Sequence, residues 1–242
     1  EWRERTLLGQ GIPGDSATIG AALNALQAEG YAPDATTDAF ARFIRYQQIP
    51  NGSWRPFSHR APLETSTVKV TVESIRAMQA FAAPSDRATT AESVARAAAW
   101  LKAAAPDDMQ DRAFLVVGRH LTGAGPRAVE AAAMRLLAMQ RTDGGWSQIP
   151  TLDSDAYATG QALFALLSTG VRTPADPAVR RAVTFLLKTQ LADGSWFVGR
   201  RAIPLQPYFD AGFPHGRDQF VSASATNWAT QALILASQKR GS

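Results

Sequence analysis

Three segments of the chain follow one pattern, Gln-x-x-(Asp/Asn)-Gly-x-Trp. They are Gln48-Ile-Pro-Asn51-Gly52-Ser-Trp54, Gln140-Arg-Thr-Asp143-Gly144-Gly-Trp146 and Gln190-Leu-Ala-Asp193-Gly194-Ser-Trp196. Self-similarity of this kind restricts the fold more than any local propensity, because each copy must occupy an equivalent place in a stack of supersecondary units. Every copy closes a stretch with apolar residues at helical spacing: Ala39-Phe40-Phe43-Ile44, Val129-Ala132-Ala133-Leu136-Leu137 and Val179-Val183-Leu186-Leu187. Asn or Asp followed by Gly then ends that helix, since Gly supplies a left-handed stop. The Gln amide can bond exposed helix-end carbonyls, and the Trp, with a large apolar body and one N–H, can pack against a neighbouring repeat. Gln48, Gly52, Trp54, Gln140, Gly144, Trp146, Gln190, Gly194 and Trp196 are therefore read as structural.

A second, smaller and less charged helix follows each motif. Asp153-Ser154-Asp155-Ala156-Tyr157-Ala158-Thr159-Gly160 through Leu166 is the clearest copy, Ser222 to Leu233 another and Thr67 to Phe81 a third. Asp15 to Leu26 aligns with the Asp155 helix without a gap, placing Gly20 on Gly160. Between Ala88 and Leu121 lies a degenerate pair: a helix from Ala91 to Ala104, a turn at Pro106-Asp107-Asp108 and a helix from Asp111 to Leu121. That makes four helices of the first type and five of the second. The Asp15 helix lacks a preceding partner, and Trp2 stands where the Trp of a truncated motif would be. The expectation is a single all-α domain over residues 1–242, about four to five hairpins stacked side by side, as a C-terminal fragment of a longer protein that extends further toward its N-terminus.

These motifs resemble the QW motifs of squalene-hopene and oxidosqualene cyclases. The Asp153-Ser-Asp155-Ala-Tyr-Ala-Thr-Gly text is similar to the same superfamily, which includes the protein prenyltransferase β subunits. The resemblance extends from about Asp15 to Ala236, and it implies an α/α toroid, here a partial barrel. It also implies a chemistry, the protonation of a polyene or epoxide followed by carbocation cyclisation. Family cyclases use an Asp-x-Asp-Asp motif whose middle acid gives the proton. Asp153-Ser154-Asp155-Ala156 keeps two of its acids, so the resemblance makes Asp155 the candidate general acid and Asp153 its partner, with Ala156 departing from the pattern. The prenyltransferases bind zinc with a set that includes Cys, and the chain has no Cys.

Composition removes several other functions. Lys and Arg number 25 against 21 Asp and Glu. They are scattered through the chain, so the net charge of +4 marks no nucleic-acid surface. No apolar run is long enough to span a membrane, and the first residues have no signal-peptide pattern. The high pI and the lack of cysteine leave export open. His59, His120 and His215 lie far apart without metal spacing, so neither metal nor cofactor is assigned.

The connection from Arg200 to Phe220 is long for a hairpin, and its Tyr208, Phe209, Phe213 and His215 either line a binding site or plug the end of the stack. Asp15, Tyr157 and Trp228 complete the candidate ligand residues. Asp15, Asp153 and Asp155 all fall at helix starts, where capping alone would explain a carboxylate. Two functions remain. One is a module that binds an apolar or isoprenoid ligand, or an adjacent domain of the same polypeptide. The other is a terpenoid cyclase fragment using Asp155, with the weight against catalysis by the isolated chain.

Overall fold

A computed structural model of the chain describes residues 2–204 and 207–238. Those residues contain ten α-helices and no β-strand. They divide into two compact units, one of Glu1–His59, Glu64–Ala105 and Gly118–Ala124, the other of Arg60–Leu63, Pro106–Val117 and Gly125–Ser242.

The first unit holds α1 (Trp2–Leu7), α2 (Asp15–Ala28), α3 (Ala35–Tyr46), α4 (Thr67–Phe81) and α5 (Arg87–Ala103). The second holds α7 (Pro126–Leu137), α8 (Ala156–Ser168), α9 (Pro177–Thr189) and α10 (Gln219–Ser237). Helix α6 (Met109–Leu121) contributes its first turns to the second unit and its last turn to the first. The four helices read as first type are α3, α5, α7 and α9, and the five of the second type are α2, α4, α6, α8 and α10. A further short helix, α1, occupies the segment read as a truncated motif, and the indole of Trp2 lies outside the described residues.

The two helix types differ because their sequences differ. Helix α9 buries Val179, Ala182, Phe185 and Leu186 along one stripe and turns Arg180, Arg181 and Lys188 to solvent. Helix α8 is buried on all sides from Ala156 to Leu163, as its near lack of charge permits. Its neighbour is α10, and the approach is close. A Cβ on Gly160 would lie 2.7 Å from the backbone of Trp228 and Ala229. Gly20 occupies the same place on α2, facing the backbone of Glu73 on α4, but a Cβ there would meet nothing nearer than 3.7 Å.

The three motifs are built alike, atom for atom. Trp54, Trp146 and Trp196 are almost completely buried. Each indole N–H donates to a carbonyl ten residues earlier in the helix the motif terminates: Ile44 at 2.6 Å, Leu136 at 2.8 Å and Leu186 at 2.9 Å. Each Trp backbone N–H donates to a threonine of the following second-type helix, Thr71, Thr159 or Thr226. Asn51, Asp143 and Asp193 accept the N–H two residues on and so hold the turn. The turn needs a left-handed residue at its centre, and Gly52, Gly144 and Gly194 supply it with φ of 95°, 91° and 84°.

Gln48 and Gln140 bond both the Gly carbonyl of their own turn and a carbonyl of the next first-type helix, Ser93 on α5 and Ala178 on α9. The glutamine is thus a staple between consecutive repeats, and the Trp a staple within one. Sequence spacing anticipated the glutamine's bonds to helix carbonyls in general form, but it placed each Trp against a neighbouring repeat, whereas the Trp N–H bonds run within one hairpin.

Candidate functional site

In the second unit two helices begin beside each other on the same polar cluster. Asp155 is the N-cap of α8, and its Oδ1 accepts the Ala158 N–H at 2.8 Å. Its Oδ2 accepts from Gln148 Nε2 at 3.1 Å. Gln148 in turn accepts from Arg201 Nε at 2.7 Å and, through its backbone carbonyl, from the Met109 N–H at the start of α6. Asp108 caps that start, accepting the Asp111 N–H at 3.0 Å, while Asp111 Oδ2 accepts the Asp107 N–H at 3.1 Å. Tyr157, fully buried, sends its hydroxyl toward the Pro62 carbonyl and Gln110 Oε1, at 3.2 and 3.3 Å. Gln110 Nε2 has no hydrogen-bond partner among the described residues although the residue is buried.

Burial raises the pKa of both Asp155 and Asp108 above the ordinary 3.8, and the helix N–H groups, Gln148 and Arg201 offset part of that rise. The folded chain therefore holds protons at these carboxyls that the unfolded chain has already released. Just above the ordinary value the native state binds more protons than the unfolded one, and stability falls as pH rises through the folded pKa values. Asp155→Asn, which keeps an acceptor for Ala158 and carries no charge, is expected to flatten that fall. Thermal melts of both proteins between about pH 4 and pH 7 measure it. Equal slopes for the two would mean that Asp155 ionises freely.

The proposed partner Asp153 is exposed, and the partners Asp155 has are Gln148 and the α8 backbone. Ser154 bonds Asp143 of the second motif. Asp15 lies in the first unit as the opening residue of α2, with φ 44°, and the cap position there belongs to Gly14. Trp228 is half-buried with its ring edge-on to Phe114 and Phe164, at 5.7 and 5.2 Å between centroids. Sequence reading did not single out Asp108, Gln148 or Arg201. Asp108 was legible only as part of a turn, and the other two join the cluster through contacts over long sequence separations.

The Arg200 to Phe220 connection places its aromatic groups outward. Phe209, Tyr208, Phe213 and Phe220 are 60%, 50%, 49% and 43% exposed. Arg217 lies over the Tyr208 ring, and Phe209 stands 6.3 Å from Phe220. His215 is anchored: its Nε2 is 2.8 Å from Ser195 Oγ, and its ring meets Phe197 edge-on. The loop is fastened by Arg200 and Ala211, whose N–H groups reach Asp218 and Gln219.

Paired helices joined by motifs of this construction define an all-helical repeat, consistent with the α/α toroid class. Residues 92–194 match the family model of the squalene-hopene cyclase N-terminal domain, a span that runs from within α5 through the second motif to Gly194 of the third. That stretch is similar to the squalene-hopene cyclase N-terminal domain, which supports a cyclase-like helical module. No helix among the described residues is long and apolar enough to cross a membrane.

Proposed function

We propose that this cyclase-like module is a binding module whose aromatic loop, residues 207–220, seats a partner domain. The outward aromatics carry the reading. Three large rings near half exposure in the loop, with Phe220 beside Phe209 in the first turn of α10, form the kind of apolar surface that monomers seldom leave uncovered. A small apolar ligand is held in a concave site that buries most of its surface, whereas projecting Tyr, Phe and Arg side chains suit the core of a protein–protein interface. The loop is fastened at both ends, so little ordering entropy opposes its docking.

The cyclase reading is less well supported. Protonating an alkene requires an acid free to point its O–H at the substrate, with neighbours that stabilise the anion afterwards. Asp155 spends both oxygens on bonds within the protein, and Asp153 faces solvent. Asp155 behaves as the N-cap of α8.

Two measurements test this. Incubation with squalene is expected to yield no cyclic product; a product that disappears in Asp155→Asn would overturn the binding reading. The double variant Phe209→Ser, Phe213→Ser is expected to keep the melting temperature within about 2 °C, as exposed substitutions do. It should also lose most of the fluorescence of the apolar dye ANS bound to the wild type. A variant that binds the dye as before would show that the loop is not the apolar surface.

A further inference from the structure

The third motif repeats the indole, backbone and turn N–H bonds of the first two, yet among the described residues it lacks what they touch next. Gln48 donates to Ser93 of α5, and Arg96 three residues on donates from Nη2 to Gln48 Oε1 at 2.5 Å. Gln140 donates to Ala178 of α9, and Arg181, again three residues on, donates to Gln140 Oε1 at 2.6 Å. The glycines make way for the same helices. A Cβ on Gly52 would lie 2.5 Å from the Arg96 carbonyl oxygen, and one on Gly144 2.6 Å from that of Arg181. At the third motif Gln190 keeps its bond to the Gly194 carbonyl, but a Cβ on Gly194 would meet nothing nearer than Gln190 Nε2, at 4.0 Å. Gly52 and Gly144 are buried and Gly194 is exposed. The flanking residues follow suit: Leu187 and Leu191 are exposed, whereas their counterparts Leu137 and Arg141 in the second motif and Arg45 and Ile49 in the first are half-buried.

We propose that the third motif is an open socket for one more first-type helix, the helix that polypeptide continuing past α10 supplies. The occupant is specified by the two filled sockets. It is amphipathic, offers an early backbone carbonyl to Gln190 Nε2, carries a basic residue three positions later for Gln190 Oε1, and lays its backbone against Gly194. The order of elements specifies its source. Helix α5 follows α4 and fills the first socket, and α9 follows α8 and fills the second. The bonding carbonyl comes twelve residues after the end of α4 and ten after the end of α8. Counted from Ser237, the corresponding residue falls about five to seven positions past Ser242, by the regularity of stacked repeats. This inference concerns the Gln190 turn and stands whether or not the aromatic loop binds a partner.

The test grafts this chain's own segment 169–189, which leads from the end of α8 through α9, directly after Ser237. The graft should fill the socket at high effective concentration. The grafted chain is expected to melt several degrees higher than the original and to protect Gly194 from hydrogen exchange. Gly194→Ala costs the same left-handed strain in both backgrounds, so any extra loss in the grafted chain reports the collision with the new helix. We expect the drop in melting temperature to be at least twice as large there. An unchanged melting temperature on grafting, an unprotected added helix, or equal Gly194→Ala drops would each overturn the proposal. So would an ungrafted chain that is dimeric and becomes monomeric with Gly194→Ala, which would assign the socket to a second copy.

Discussion

Trp146→Ala is expected to lower stability by about 3–5 kcal/mol, the range for deleting a fully buried large aromatic. For a chain of this size that is a fall in melting temperature on the order of 10 °C. The indole is buried and is tied by its N–H to Leu136 while its own backbone N–H bonds Thr159. Truncation therefore opens a cavity at the junction of α7, α8 and the turn, where three elements hold one another and none can collapse freely. Trp146→Phe keeps a ring and loses the N–H, so its cost should be clearly smaller. Denaturant unfolding of both variants measures the difference. Equal losses would mean that the hydrogen bond, not the packed volume, holds the corner. Losses of well under 1 kcal/mol for Trp146→Ala would remove the motif from the structural core altogether.

Two aligned glycines should respond to the same substitution with opposite signs. Gly160→Ala places a methyl 2.7 Å from the α10 backbone, which cannot yield as a flexible side chain can, so α8 must move off its partner. Overpacking of this kind costs about 2–3 kcal/mol. Gly20→Ala puts its methyl at ordinary van der Waals distance from α4, 3.7 Å away, inside a helix where Ala is favoured over Gly by about 1 kcal/mol. That variant should be stabilised. Thermal denaturation of the pair decides it: two destabilised variants, or two stabilised ones, would show that helices α2 and α8 do not make the distinct approaches described.

Much of the repeat organisation is legible in the sequence because its signals are local. Gly in a left-handed turn, Asp or Asn capping it, and apolar residues at helical spacing act within a few positions, and the nine helices they predict correspond to α2 through α10. The match at residues 92–194 takes in the second motif and the third as far as Gly194, although the first helix it covers, α5, had lost the Gln and Trp that identified the others. The residues around Asp155 are less legible. Asp108, Gln148 and Arg201 carry no pattern of their own. They matter because α6 and α8 start at one place and the connection after Trp196 passes it, and each of those facts depends on contacts between positions far apart in the chain.

Sequence by itself determined that the chain folds as repeated helical hairpins with Trp-sealed corners, since periodicity and turn chemistry are properties of neighbouring residues. Tertiary structure alone decided which of three identical turns are covered and which is open, that Asp155 spends its oxygens on a helix start and a glutamine, and that the loop aromatics face outward. Burial is a property of what comes to lie alongside a residue, and identical motifs acquire different surroundings only when the elements beside them are in place.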